Sequence, residues 1–241
     1  MQNLDLKRIF IGSISFFLLI IHFNRCSSPT STPENPEKIS NSNKAEISYQ
    51  KKNFRMIEGE KIQIDTLYIQ VAYEITPERW VVIAESVNDD PKGLRLLLVN
   101  PKKNYELIYK SNGAYESMTL HPQFFIPNDE SPWILLCAIG QMESWGQILF
   151  FMDGDKINEI AYMDVAIKQE ADSEYYESGY KLTDISEVTS IYKDRNGIHF
   201  NFETDSIKYF GTLEEILDPV LSGDKVSYTF HNDVLEFQLQ N

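Results

Sequence analysis

Past residue 60 the apolar residues of this chain come in short bursts separated by turn signals, and that pattern restricts it to a strand-built core. Residues 80–84, 94–99 (apart from Arg95), 133–139 and 148–152 are continuous apolar runs, as expected of strands covered on both faces. Ile69, Val71, Tyr73 and Ile75 alternate with polar or small residues, which marks a half-buried strand. Between such segments stand Asn100-Pro101, Asp153-Gly154, Asn196-Gly197 and Asn232-Asp233, dipeptides that favour turns. Only residues 212–218 carry a helical pattern, opened by a Thr212 cap and stopped by Pro219. The expectation is an all-β domain of about ten to twelve strands with at most one or two short helices.

A displacement of 53 residues lays one stretch of the chain on another without a gap. Trp80 falls on Trp133, Gly93 on Gly146, Leu96 on Leu149, Lys103 on Lys156, Glu106 on Glu159 and Tyr109 on Tyr162. Both copies read strand, loop, strand, tight turn, strand. A weaker third copy is drawn over residues 198–210. Units of three or four strands with a period near 50 residues match the period of propeller blades. Two similar meanders in a β-sandwich would give the same pattern. The expected fold is therefore repeated antiparallel meanders, closed in a propeller-like or a sandwich-like way, in one domain over residues 47–241.

Charge narrows the partners. The chain has 22 basic and 36 acidic residues, a formal net charge of −14. Residues 1–26 hold Lys7, Arg8 and Arg25 against Asp5, so the remainder has 19 basic and 35 acidic residues and carries −16. Such a domain repels phosphate backbones, which excludes general nucleic-acid binding. It also repels anionic headgroups. A basic protein partner suits this charge, and so does the plain role of keeping the domain soluble.

The N-terminus addresses the domain to a membrane. Lys7 and Arg8 precede residues 9–23, an apolar run of 15 broken only by Gly12, Ser13, Ser15 and His22. That is short of the ~20 residues a spanning helix needs. It suits the apolar region of a secretory signal, with the basic flank held inside. Cys26 follows directly, and residues 26–46 read as a flexible tether rich in Ser, Pro and Asn.

An apolar run that ends in a cysteine ahead of such a tether resembles a bacterial lipoprotein signal. The resemblance implies cleavage after residue 25, lipidation of Cys26, and anchorage on the non-cytoplasmic side of an envelope membrane. Phe23, Asn24 and Arg25 depart from that family's aliphatic-then-small pattern, so an uncleaved anchor and simple secretion stay open. Residues 94–109 and 133–162 are similar to strand-turn-strand segments of uncharacterised bacterial envelope lipoproteins. Some propeller-like relatives of these act as periplasmic inhibitors or immunity proteins against cell-wall hydrolases. The resemblance implies protein binding and assigns no residue to it.

No catalytic constellation stands out. His121, His199 and His231 are far apart and lack metal-ligand spacing. Cys137 lies inside an apolar run, where a thiol behaves as a small buried hydrophobe. No Gly-x-Ser-x-Gly elbow or phosphate-binding glycine loop occurs. Asp153-Gly154-Asp155 follows Phe150, Phe151 and Met152, too few oxygens for calcium, and reads as a hairpin turn. The reading is a non-enzyme with no cofactor and no metal.

Two segments are candidate contacts. Residues 169–180 place Glu170, Asp172, Glu174 and Glu177 around Tyr175, Tyr176 and Tyr180, a mix that suits recognition of a basic protein. Trp145 is read as lying in a loop between strands, where it would anchor a partner or fold back on the core. The function expected is a membrane-tethered binding module of the cell envelope, an inhibitor or immunity-type protein among the options. The alternative is a structural or assembly component.

Overall fold

The computed structural model describes residues 46–59, 62, 64, 67–86, 93–112, 117–176, 178–211 and 220–240. The apolar run 9–23, Cys26, residues 27–45 of the tether, Glu177 and the expected helix over 212–218 lie outside the described residues. Among the described residues no helix is long and apolar enough to cross a membrane.

Every ladder is antiparallel, and three sheets result. The first holds β2 (Arg55–Glu58), β3 (Leu67–Thr76), β4 (Arg79–Ser86), β5 (Leu94–Asn100) and β6 (Glu106–Lys110), in that order. The second, of nine strands, joins two groups through β1 (Ile47–Lys52). On one side of β1 lie β7 (Thr119–Pro127), β8 (Trp133–Gly140), β9 (Ser144–Asp153) and β10 (Lys156–Met163). On the other lie β13 (Thr189–Asp194), β14 (Gly197–Phe202), β17 (Val226–His231) and β18 (Val234–Leu239). The third sheet runs β12 (Tyr180–Thr183), β11 (Val165–Glu170), β15 (Ile207–Tyr209), β16 (Val220–Leu221).

The nine-stranded sheet curls until its edges, β10 and β18, approach without forming a ladder, and the result is a nearly closed barrel. Its interior is filled by Ile134, Leu136 and Leu149 from one side and Ile191, Phe200 and Tyr228 from the other. The third sheet spans the two edges. β11 runs on from β10 past Asp164, and Tyr209 of β15 stacks on Phe237 of β18 with ring centroids 4.2 Å apart. Tyr228 donates a 2.5 Å hydrogen bond to Asp164 at the same junction.

The continuous apolar runs are strands buried on both faces, as the pattern demanded. In β8, Ile134 and Leu136 point into the barrel while Leu135 and Cys137 point out, against the first sheet. Each such leucine or isoleucine contributes roughly 1.5–3 kcal/mol of burial free energy.

The repeat is a structural duplication. Trp80 pairs with Val99 in the β4–β5 ladder, and Trp133 pairs with Met152 in the β8–β9 ladder, so the register is the same after a shift of 53. Gly93 and Gly146 both hold a positive φ, 123° and 140°, which only glycine adopts readily. The two copies stack in the same sense. Val81, Ile83 and Leu96 face the second copy, and their counterparts Ile134, Leu136 and Leu149 face away from the first, into the barrel. The opposite face of the second copy (Leu135, Phe150, Met152) receives the first. The equivalent face of the first copy (Val82, Leu97, Val99) is covered by Ile62 and half-buried Trp80 and Tyr105.

Two expectations change. The third copy does not exist as a unit. Residues 198–202 belong to β14 in the barrel, whereas β15 joins a different sheet and pairs with β11 and β16. Eighteen strands are present among the described residues, more than foreseen. The extra ones, such as β2 and β18, are exposed on most positions and are recruited by hydrogen bonding to a neighbour rather than by apolar content. Residues 42–241 form one compact unit.

Candidate functional site

The acidic-aromatic segment is the tip of the β11–β12 hairpin. Its strands reach further than the sequence suggested: Glu170 pairs with Tyr180, so both are ladder residues rather than loop residues. The turn between them is held by its own bonds. Asp172 accepts from the Glu174 amide at 2.9 Å through its carboxylate and from the Tyr176 amide at 3.0 Å through its carbonyl, while Gly179 closes onto the Tyr176 carbonyl at 2.8 Å. Tyr180 is partly covered, with the Lys168 ammonium 3.8 Å above its ring. Glu170, Asp172, Glu174 and Tyr175 are exposed, Tyr175 to 76 %, and Tyr176 is half-buried.

Trp145 is not in a loop. It is the second residue of β9, because the turn is confined to residues 141–143 and Gly140 already pairs with Ser144. Tyr162 on β10 crosses Gly146 and donates its hydroxyl to the Trp145 carbonyl. A Cβ at Gly146 would sit 2.4 Å from that hydroxyl, which is why glycine is required beneath the tyrosine.

Two side chains near Trp145 tie β9 to the hairpin. Glu143 accepts from the Leu182 amide at 3.0 Å. Gln147, fully buried, donates to Asp184 at 2.8 Å, and Asp184 in turn caps the Ile185–Val188 turn through the Ser186 amide. Trp145 is therefore fixed beside the base of the hairpin. It is 37 % exposed, and Met142 in the adjoining turn is 84 % exposed. Exposed Trp145 and Met142 thus lie beside the base of the hairpin whose far part carries Glu170, Asp172 and Glu174. The sequence pointed to Trp145 and the hairpin separately; Met142 was missed, since a methionine in a turn carries no sign of its exposure.

The other groups considered for chemistry are spread over separate strands and one turn. His121 is an exposed residue of β7 opposite Ala138. His199 bridges three strands, with Nε2 2.8 Å from Asp194 and Nδ1 3.2 Å from the Thr229 hydroxyl, and Tyr192 stacks on its ring. That hydrogen bond from His199, with backbone amides of the β13–β14 turn, holds the Asp194 carboxyl below its usual range. His231 is exposed at the end of β17 and paired with Val234. Burial pushes the Cys137 thiol well above its ordinary value, which leaves it inert as a nucleophile. Asp153 and Lys156 flank a two-residue hairpin turn with Gly154 at φ 59°, and Asp155 pairs with Arg79 at 2.6 Å.

No protein family matches this chain, and no curated protein or solved structure is similar to it.

Proposed function

We propose that the chain is a membrane-tethered protein-binding module of the cell envelope, and that it grips its partner with the end of the barrel that carries Trp145 and the β11–β12 hairpin. The observation that carries this reading is that exposed Trp145 and Met142 flank Glu143, whose carboxylate fastens the base of a hairpin that exposes Tyr175, Glu170, Asp172 and Glu174. Aromatic and methionine side chains supply contact area, and the carboxylates favour a basic surface. A net charge of −14 disfavours self-association through the same face. The apolar run ahead of Cys26 supports export and tethering. An inhibitor or immunity-type role is the form of binding that the lipoprotein resemblance implies.

A photo-crosslinking residue placed at Tyr175 should give one discrete adduct in the native envelope. Tyr175→Ala combined with Tyr176→Ala should abolish capture of that partner while leaving the thermal midpoint unchanged. Capture that survives the double substitution would rule the hairpin out as the contact and favour an assembly role. Intact mass of the membrane fraction tests the anchor: a chain beginning at lipidated Cys26 supports it, and a full-length mass makes residues 1–25 an uncleaved anchor.

A further inference from the structure

The barrel sheet has nine strands, each antiparallel to its neighbours, so its two edges run the same way. β10 leaves the Gly154-Asp155 turn and β18 leaves the Asn232-Asp233 turn, both at the mouth of the barrel, and both head toward the Asp164 end. An odd number of antiparallel strands cannot close with an antiparallel ladder, and one further strand, antiparallel to both edges, would close it. The backbone is set for such a strand. Residues that flank a two-residue hairpin turn form a hydrogen-bonded pair, and bonded and non-bonded pairs alternate from there. Counting from His231–Val234 and Asp153–Lys156, the amides and carbonyls of Leu235, Phe237 and Ile157 point away from their own ladders and into the gap. No ladder spans that gap among the described residues.

Apolar side chains lie behind the gap without being fully covered. Leu235 and Phe237 of β18 and Ile160 of β10 pack on the barrel core and stay half-buried. One strand back from each edge, Phe151 and Phe230 meet edge to face with centroids 4.9 Å apart, and both remain half-exposed beside a cavity of about 320 Å³ at the mouth. β18 lacks the usual guards of an edge: Val234–Leu239 contains no lysine or proline, and Val234 is 53 % exposed. β10 is regular from Lys156 to Glu159 and shifts register beyond, so the open stretch suits a short segment. Glu236 is exposed on the outer side of β18, in a chain of net charge −14. We infer that the gap between β10 and β18 takes one extended segment of a partner protein, antiparallel to both edges, with apolar residues toward Phe151 and Phe230 and basic residues outward. This contact does not rest on the Trp145 end of the barrel.

The test is hydrogen exchange, read by NMR on the full chain in detergent micelles, with a capped hexapeptide of alternating lysine and valine as the probe. In the free chain the Ile157, Leu235 and Phe237 amides should exchange faster than that of Glu236, which faces β17. Saturating peptide should slow all three by roughly tenfold or more. A spin label on the peptide N-terminus should broaden Met163 and Leu239 more than Lys156 and Val234, as the antiparallel direction requires. Methylating the peptide nitrogens at odd positions alone, or at even positions alone, should each abolish binding, since the two sets point to opposite edges. Leu235→Pro should stay folded, because the lost amide serves no ladder, and should no longer take the peptide. The inference is overturned if the peptide leaves the three amides unchanged at millimolar concentration, if the label broadens the opposite ends, or if Leu235→Pro folds and binds as before. It is equally overturned if only one methylated set matters, which would mean addition to a single edge, or if a lysine–serine hexapeptide binds as well. Protection that grows with protein concentration in the absence of peptide would overturn it in favour of a second copy of this chain.

Discussion

At the scale of single residues, backbone conformation and buried phenols set the clearest expectations. Gly146→Ala should destabilise by about 2–3 kcal/mol, since the new methyl meets both the Tyr162 hydroxyl and the Met163 carbonyl at a positive φ. Gly154→Ala, at φ 59° with open space around it, should cost only about 1 kcal/mol in the same chemical denaturation. Burial raises the Tyr49 and Tyr109 hydroxyls to about 12, Glu159 adding to it at Tyr109, and raises Tyr228 further still beside Asp164. Unfolded tyrosines ionise near 10. The unfolded chain therefore loses protons first, so the contribution of these groups is complete below pH 10 and declines as pH rises through 12. Urea midpoints should fall across that window. Tyr228→Phe should lower stability at pH 8 by about 2 kcal/mol through the lost bond to Asp164, and should flatten the alkaline decline. An unchanged slope would mean that Tyr228 ionises in the folded chain.

Among elements, the hairpin depends on one side chain from the β8–β9 turn. Glu143→Ala should speed hydrogen exchange at the Leu182 amide by at least tenfold while moving the thermal midpoint by only a few degrees, because the acceptor is lost and the barrel core is untouched. The same elements show what a sequence can and cannot disclose. Strands 80–84 and 133–139 were legible because burial on both faces demands unbroken apolar runs, and the β9–β10 and β17–β18 turns because Gly154 and Asn232-Asp233 suit left-handed backbone. The duplication was legible through Trp80 and Trp133 and extends to ladder register. β15 was misread as part of a third copy, since Ile207 and Tyr209 show the apolar content of a strand but not the sheet it joins. At the candidate site the hairpin acids were visible as composition. The link between the base of the hairpin and the strand of Trp145 was not, because it runs through Glu143 and Gln147, whose contacts lie 39 and 37 residues away.

For the molecule as a whole, the shared layer decides cooperativity. Ile83 and Leu96 of the first copy pack with Leu135 and Phe150 of the second, so neither copy owns a complete core. Residues 42–241 should accordingly unfold in a single transition, with coincident far- and near-ultraviolet circular dichroism curves. A plateau between the two curves would show that the copies melt separately. Leu136→Ala, a truncation inside the barrel, should lower stability by about 2–5 kcal/mol without splitting that transition. Because the copies stack in the same sense, the face that one offers is the face the next is shaped to receive. A further 53-residue copy inserted between them would meet familiar surfaces on both sides, so the molecule could lengthen by whole layers while the barrel, its mouth and its hairpin stayed as they are.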